Sequence, residues 1–86
     1  MTGLRSAVAR LRRQLAAHPG EFADRGIAEE ELAALAATAA GGTPEIPGLR
    51  RSLLLVAGAI GSVSALSPAL SDLREAVDLF ADPERR

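Results

Sequence analysis

Side chains that could carry acid–base or nucleophilic chemistry are few in this chain of 86 residues. There is no cysteine, and the single histidine, His18, directly precedes Pro19, where a first helix is expected to end. A catalytic site needs a nucleophile or a base together with a second group that orients it, and we identify no such pair around His18. We interpret His18 as a helix-end or half-buried packing residue. We predict that the protein is not an enzyme and has no catalytic, cofactor-binding or metal-binding residue.

Two groups of carboxylates are close enough in the sequence to be considered as metal ligands. Glu29, Glu30 and Glu31 are consecutive, and consecutive side chains of a helix point in different directions and do not converge on one ion. Asp72 and Glu75 are three residues apart, but no histidine accompanies them. We interpret the first group as acidic residues that complement the dipole at the start of a helix, and the second as part of a solvated acidic face.

The basic residues raise the question of phosphate binding. A predicted first helix carries four of them and no acid, namely Arg5, Arg10, Arg12 and Arg13. No aromatic residue alternates with these arginines, so the base stacking that single-stranded nucleic-acid binders use is missing. The formal net charge of −1 gives no general attraction to nucleic acid. A DNA-associated regulator that uses the basic first helix is kept as an alternative, and nucleic acid is not the expected partner.

Apolar residues recur at helical spacing along most of the chain, and no strand-like alternation is present. Glycine and proline separate the periodic segments. The predicted helices span residues 3–17, 28–40, 48–66 and 68–81. The pattern therefore predicts an all-α fold, a small four-helix bundle arranged around a central apolar helix. Residues 1–86 are expected to form one helical domain, with a frayed tail at 82–86.

The third predicted helix is built on the segment Leu49 to Leu66, which after Arg50 and Arg51 continues as the one long uncharged run of the chain. One side of it is bulky and aliphatic, whereas the opposite side is lined by small residues, and small residues allow another backbone to approach closely. The fourth helix repeats apolar residues in alternating steps of four and three, which is typical of a coiled-coil contact. We predict that these two helices supply the packing or self-association residues. They are Leu53, Val56, Ala57, Ile60, Gly61, Ala65, Leu70, Leu73, Val77 and Phe80.

Two segments resemble the sequences of a group of short bacterial proteins. They are DRGIAEEELAALAA (24–37) and LRRSLLLVAGAIGSVSAL (49–66). Both are similar to segments of short, uncharacterised Streptomyces-type actinobacterial proteins that are grouped as a domain of unknown function. The resemblance covers most of the chain and implies a bacterial source. It transfers no catalytic residue and no substrate.

A membrane protein is the main physical alternative. Residues 52–71 contain no charged side chain and are close to the minimum length of a bilayer span. Five serines and Pro68 within this run, and the lack of an aromatic belt, argue against a span. The flanking amphipathic helices also need an apolar partner in water, and the central helix is the obvious one.

We therefore expect a small soluble helical interaction module, such as an adaptor, a regulatory subunit or a scaffold, located in the cytoplasm. So small a bundle of mostly Ala and Leu gains little margin over the entropy of ordering its chain. Its apolar surface exceeds what one copy can bury, so self-association would cover the remainder, most simply as a two-fold homodimer. A second protein is a further expected partner, and the sequence does not identify it.

Overall fold

A computed structural model describes residues 2–20, 23–41 and 45–81 of the chain. These residues form four α-helices: α1 (Thr2–Ala17), α2 (Arg25–Ala40), α3 (Ile46–Ile60) and α4 (Ser67–Ala81). A single turn of 3₁₀ helix, Ser64–Leu66, precedes α4, and no strand occurs in the described ranges. The predicted all-α four-helix bundle is confirmed. The tail predicted to fray, 82–86, lies outside the described residues.

The helix α1 lies where the sequence predicts it, because its apolar stripe and its terminator act locally. Leu4, Val8, Leu11 and Leu15 are all buried, at most 3% exposed, and form one side of the helix. The helix ends at Ala17, one residue before the pair His18-Pro19. Proline disfavours the helical conformation in the residue that precedes it, which accounts for this boundary.

The helix α2 begins at Arg25, three residues before the predicted start at 28. Gly26, which precedes the predicted start, lies in the first helical turn, where open space surrounds its missing Cβ. The earlier start also moves the three consecutive glutamates, 29–31, beyond the first turn. The first turn contains no acidic residue, so the proposed complement to the helix dipole is wrong.

The third predicted helix, 48–66, is shorter than expected and ends at Ile60. Gly61 and Ser62 form a turn, and Val63 is extended, with φ −93° and ψ 97°. Two glycines weaken this end of the helix by about 1 kcal/mol each relative to alanine. The turn also lets Leu66 reach the core, where it is only 2% exposed. The start at Ile46 fits the sequence, since Pro47 occupies the first turn.

The four helices share one aliphatic core. Its buried members include Leu11, Leu32, Val56 and Leu73, each of which is fully buried, and no polar or charged residue is buried among the described residues. The helix α1 packs against α2 and α4, and α3 packs against the same two helices. The helices α1 and α3 thus occupy opposite corners of the bundle. The expectation of a central helix is wrong, because each helix contributes one stripe and α3 keeps an exposed outer side.

Arg25 joins the start of α2 to the end of α1. Its Nη2 donates a hydrogen bond to the carbonyl oxygen of Leu15 at 2.6 Å, and its Nη1 donates to the carbonyl oxygens of His18 and Gly20, both at 2.9 Å. Its Nε donates to the carboxylate of Glu29 at 3.2 Å. Leu15 lies in the last turn of α1, and His18 and Gly20 belong to the connection that follows, so the planar guanidinium links three backbone carbonyls of this connection at once.

We expect Arg25→Met to lower the free energy of unfolding by about 2–3 kcal/mol, because it removes charge-assisted hydrogen bonds to three backbone carbonyls. Urea denaturation followed by circular dichroism measures this difference. Arg13→Met is the matched control, since Arg13 is exposed and its substitution should change stability by at most about 0.5 kcal/mol. Equal denaturation midpoints for the two variants would show that Arg25 does not hold this connection.

Replacing each of two glycines near the end of α3 by alanine should change the free energy of unfolding in opposite directions. A Cβ at Gly58 would meet no atom within 4 Å, so Gly58→Ala should raise the free energy of unfolding by about 0.5–1 kcal/mol through helix propensity. A Cβ at Gly61 would lie 2.5 Å from the carbonyl oxygen of Ala57. Gly61→Ala should therefore cost about 1 kcal/mol of backbone distortion. Thermal unfolding of both variants checks the signs, and a gain for Gly61→Ala would contradict the tight turn.

Candidate self-association surface

The structure separates the ten predicted packing or self-association residues into three groups, which are buried, partly buried and exposed. Six belong to the buried core of the single chain: Leu53, Val56, Ile60, Leu70, Leu73 and Val77. Ala57 and Phe80 are partly buried and pack against that core, whereas Gly61 and Ala65 are exposed. The bulky side of α3 and the repeating apolar residues of α4 therefore pack within one molecule.

The predicted close approach of another helix to the small residues of α3 is not found. A Cβ at Gly58 would have open space around it, and the atoms nearest to a Cβ at Gly61 belong to Ala57 of α3 itself. Ala65 is exposed and lies in the 3₁₀ turn. Within the described part of the chain, the glycines at 58 and 61 are thus not explained by helix–helix contact.

The side of α3 that points away from the core carries large apolar side chains in solvent. Leu54 is 72% exposed and Leu55 is 43% exposed. Arg51 lies one turn before them, Gly58 lies one turn after them, and both are exposed. We call these four residues the outer α3 face. Its middle is apolar, and Arg51 is its only charge.

The outer α3 face has a knob-and-hole shape along the helix. Leu54 and Gly58 are four residues apart, so they lie on one side of the helix about 6 Å from each other along its axis. A protruding leucine therefore adjoins a position without a side chain. Such a pairing of a projection and a recess on one surface is what packing between two helices requires.

Sequence reasoning did not single out Leu54 and Leu55, although a local signal was present. Leu53, Leu54 and Leu55 are consecutive, and successive residues of a helix point about 100° apart. A helix that presents Leu53 to the core cannot also bury both of its neighbours. The expectation that α3 is surrounded by other helices concealed this signal.

The arginines of α1 do not form one patch. Arg10 is paired with the carboxylate of Asp72 on α4. Arg5 and Arg12 lie instead beside α2, where they line a groove. His18 is half-buried, and its ring lies close to Gly20. Among the described residues, no three acidic, histidine or cysteine side chains are grouped in a way that could hold a metal ion.

The alternative of a bilayer span at 52–71 can be compared with the observed helices. This run is divided between α3, which has 15 residues, and α4, with the turn at Gly61 between them. In the described ranges, no helix combines the length and the apolar character that crossing a membrane requires.

Comparison with known proteins places the chain in a family. The model of one family matches residues 1–81, which is nearly the whole chain. The chain belongs to DUF5955, a family of unknown function. No curated protein and no solved structure matches it. The predicted resemblance to proteins of unknown function is thereby confirmed, whereas the actinobacterial source stays a prediction.

For this DUF5955 chain, the outer α3 face is the strongest candidate for a functional surface. Two other large apolar residues are exposed in the described part of the chain, Ile27 on α2 at 47% and Leu79 on α4 at 38%. Each of them stands alone on its helix, and isolated exposed apolar residues are normal on protein surfaces. Leu54 and Leu55 differ because they are adjacent and share a side with Gly58.

Proposed function

We propose that this DUF5955 chain is a small helical interaction module that self-associates through the outer α3 face. The exposure of Leu54, at 72%, is the observation that carries the proposal. Removing apolar surface from water stabilises an interface by roughly 25 cal/mol per Å². A face with two neighbouring leucines and one charge therefore gains from a partner of similar shape.

A second copy of the chain fits this face because the face is complementary to itself. In a two-fold pair of antiparallel α3 helices centred near residue 56, Leu54 of each copy lies over Gly58 of the other. The same geometry brings Arg51 of each copy towards the end of the other α3, near Gly61. The C-terminal end of a helix carries partial negative charge, so this position favours a guanidinium. Two-fold interfaces use one surface patch twice, as this arrangement does.

The size of α3 limits the strength of this association. Stable protein–protein interfaces bury a total of about 1,200–2,000 Å², and one helix of 15 residues offers less than this. We therefore infer a weak dimer whose population depends on concentration. Such a module would act as an adaptor, a regulatory subunit or a scaffold by packing, without catalysis. A cytoplasmic location and an actinobacterial source complete the proposal.

We expect Leu54→Glu to abolish the dimer, because it places a carboxylate in the apolar middle of the contact. Leu79→Glu is the matched control, since it makes the same change at another exposed leucine, on α4. Sedimentation equilibrium over a wide range of concentrations measures the association of both variants and of the unchanged chain. At concentrations where the unchanged chain is monomeric, thermal unfolding of Leu54→Glu should match that of the unchanged chain, because Leu54 makes little contact within one molecule.

Gly58→Leu tests the same geometry by filling the recess rather than removing the projection. It should weaken the dimer while leaving the fold intact, since open space surrounds Gly58 in the single chain. A constant monomeric mass of the unchanged chain at every concentration would refute self-association. A dimer that persists in both Leu54→Glu and Gly58→Leu would move the interface to another face.

A further inference from the structure

A second surface of the molecule lies between α1 and α2. It is a groove of about 440 Å³ on the side of the bundle that α3 does not reach. Four alanines line it, Ala9 from α1 and Ala36, Ala39 and Ala40 from α2, and Arg5 and Arg12 of α1 lie beside them. Alanine side chains leave the groove shallow, so another backbone can approach closely.

The described residues that line this groove carry only positive charge. Arg5 and Arg12 are exposed, and neither makes an ion pair with any described residue. No described lining residue is a carboxylate, so the two guanidinium groups give this lining a formal charge of +2, and Glu29 lies beside Arg12 only in an adjoining cleft. In contrast, the described lining of the groove between α1 and α4, of about 400 Å³, contains Arg10 together with Asp72 and Glu75, which sum to a formal charge of −1. The two sides of α1 thus differ in sign.

The spacing of the two arginines defines the form of a partner. Arg5 and Arg12 are seven residues apart, so they lie on the same side of α1 and about 10.5 Å from each other along its axis. Carboxylates seven residues apart on an approaching helix have the same separation. A small anion would contact only one of the two groups, whereas a helix laid along the groove would contact both.

We propose that the groove between α1 and α2 docks an acidic helix of a second protein. The alanines accept the small apolar side of that helix, and Arg5 and Arg12 pair with two of its carboxylates. Charge complementarity selects the partner, because no other part of the groove provides a polar contact of comparable strength. This surface is separate from the outer α3 face, so the chain can bind a different protein while it is paired with itself.

A synthetic helical peptide tests the proposal with the complete chain. The probe is an alanine-rich peptide with two glutamates seven residues apart, and the control peptide has them five apart, on opposite sides of its helix. Fluorescence anisotropy measures the binding of both at an ionic strength of about 0.15 M, where charges more than about 8 Å away are largely screened. We expect the first peptide to bind at least about tenfold more tightly than the second, since only the first can reach both arginines.

Two double variants distinguish the effect of the charges in the groove from the effect of the net charge of the protein. The double variant Arg5→Glu with Arg12→Glu should bind the acidic peptide at least about tenfold more weakly than the unchanged chain. The same variant should bind a peptide in which lysines replace the glutamates, because the charge of the groove is reversed. Arg13→Glu with Arg74→Glu makes the same change in net charge outside the groove and should leave binding within about threefold. Ala9→Leu, which fills the groove without changing its charge, should also weaken binding.

Three results would overturn the proposal. The first is equal binding of the two peptides, and the second is an equal loss of binding in the two double variants. The third is binding to anionic lipid vesicles that depends on Arg5 and Arg12 while the peptide does not bind, which would assign the groove to a membrane surface. Circular dichroism confirms the fold of each variant. Leu54→Glu should bind the peptide normally, which distinguishes this test from that of self-association.

Discussion

The whole structure depends on closing a core made only of aliphatic side chains. The chain has 2% aromatic residues, and no residue with a polar or charged side chain is buried among those described. A core of this kind has no side-chain hydrogen bond to fix how the helices meet, so the shapes of the apolar side chains must do so. Each helix meets this constraint with one narrow stripe of leucine, valine, isoleucine or alanine. The stripes face one another, and no helix is enclosed by the other three.

Polar contacts between elements lie at the border of this core. The guanidinium of Arg25 binds the carbonyl oxygen of Leu15 in the last turn of α1 and those of His18 and Gly20 just beyond it, and Arg10 pairs with Asp72 across α1 and α4. The two contacts differ in strength. Arg10 and Asp72 are about half exposed, and an exposed pair contributes at most about 1 kcal/mol. Arg25 is only 20% exposed and ties three carbonyl oxygens of the first connection to the start of α2, so it constrains this connection more strongly.

The sequence predicts those features that depend on local periodicity. The stripe from Leu4 to Leu15 and the terminator at Pro19 define α1 closely, and Gly41 follows the last residue of α2 as expected. The end of α3 was mispredicted because the apolar pattern continues through Gly61 to Leu66, although the chain turns there. The role of Arg25 also escapes a local pattern, since its partners are carbonyls between five and ten residues away. The outer α3 face could not be predicted in the same way, because it depends on which leucine of 53–55 is buried in the core. That choice is a property of the assembled bundle.

The arrangement of the bundle separates the two proposed surfaces. The helices α1 and α3 stand at opposite corners because each packs against α2 and α4. The outer α3 face is apolar with one arginine, and the groove beside α1 is lined by alanine and carries two guanidinium groups that form no ion pair with a described residue. An apolar surface that is complementary to itself favours a second copy, whereas a surface of one charge repels its own kind and favours an acidic partner. The difference in charge therefore directs the two faces to different partners, and a two-fold pair through α3 would leave both charged grooves open to solvent.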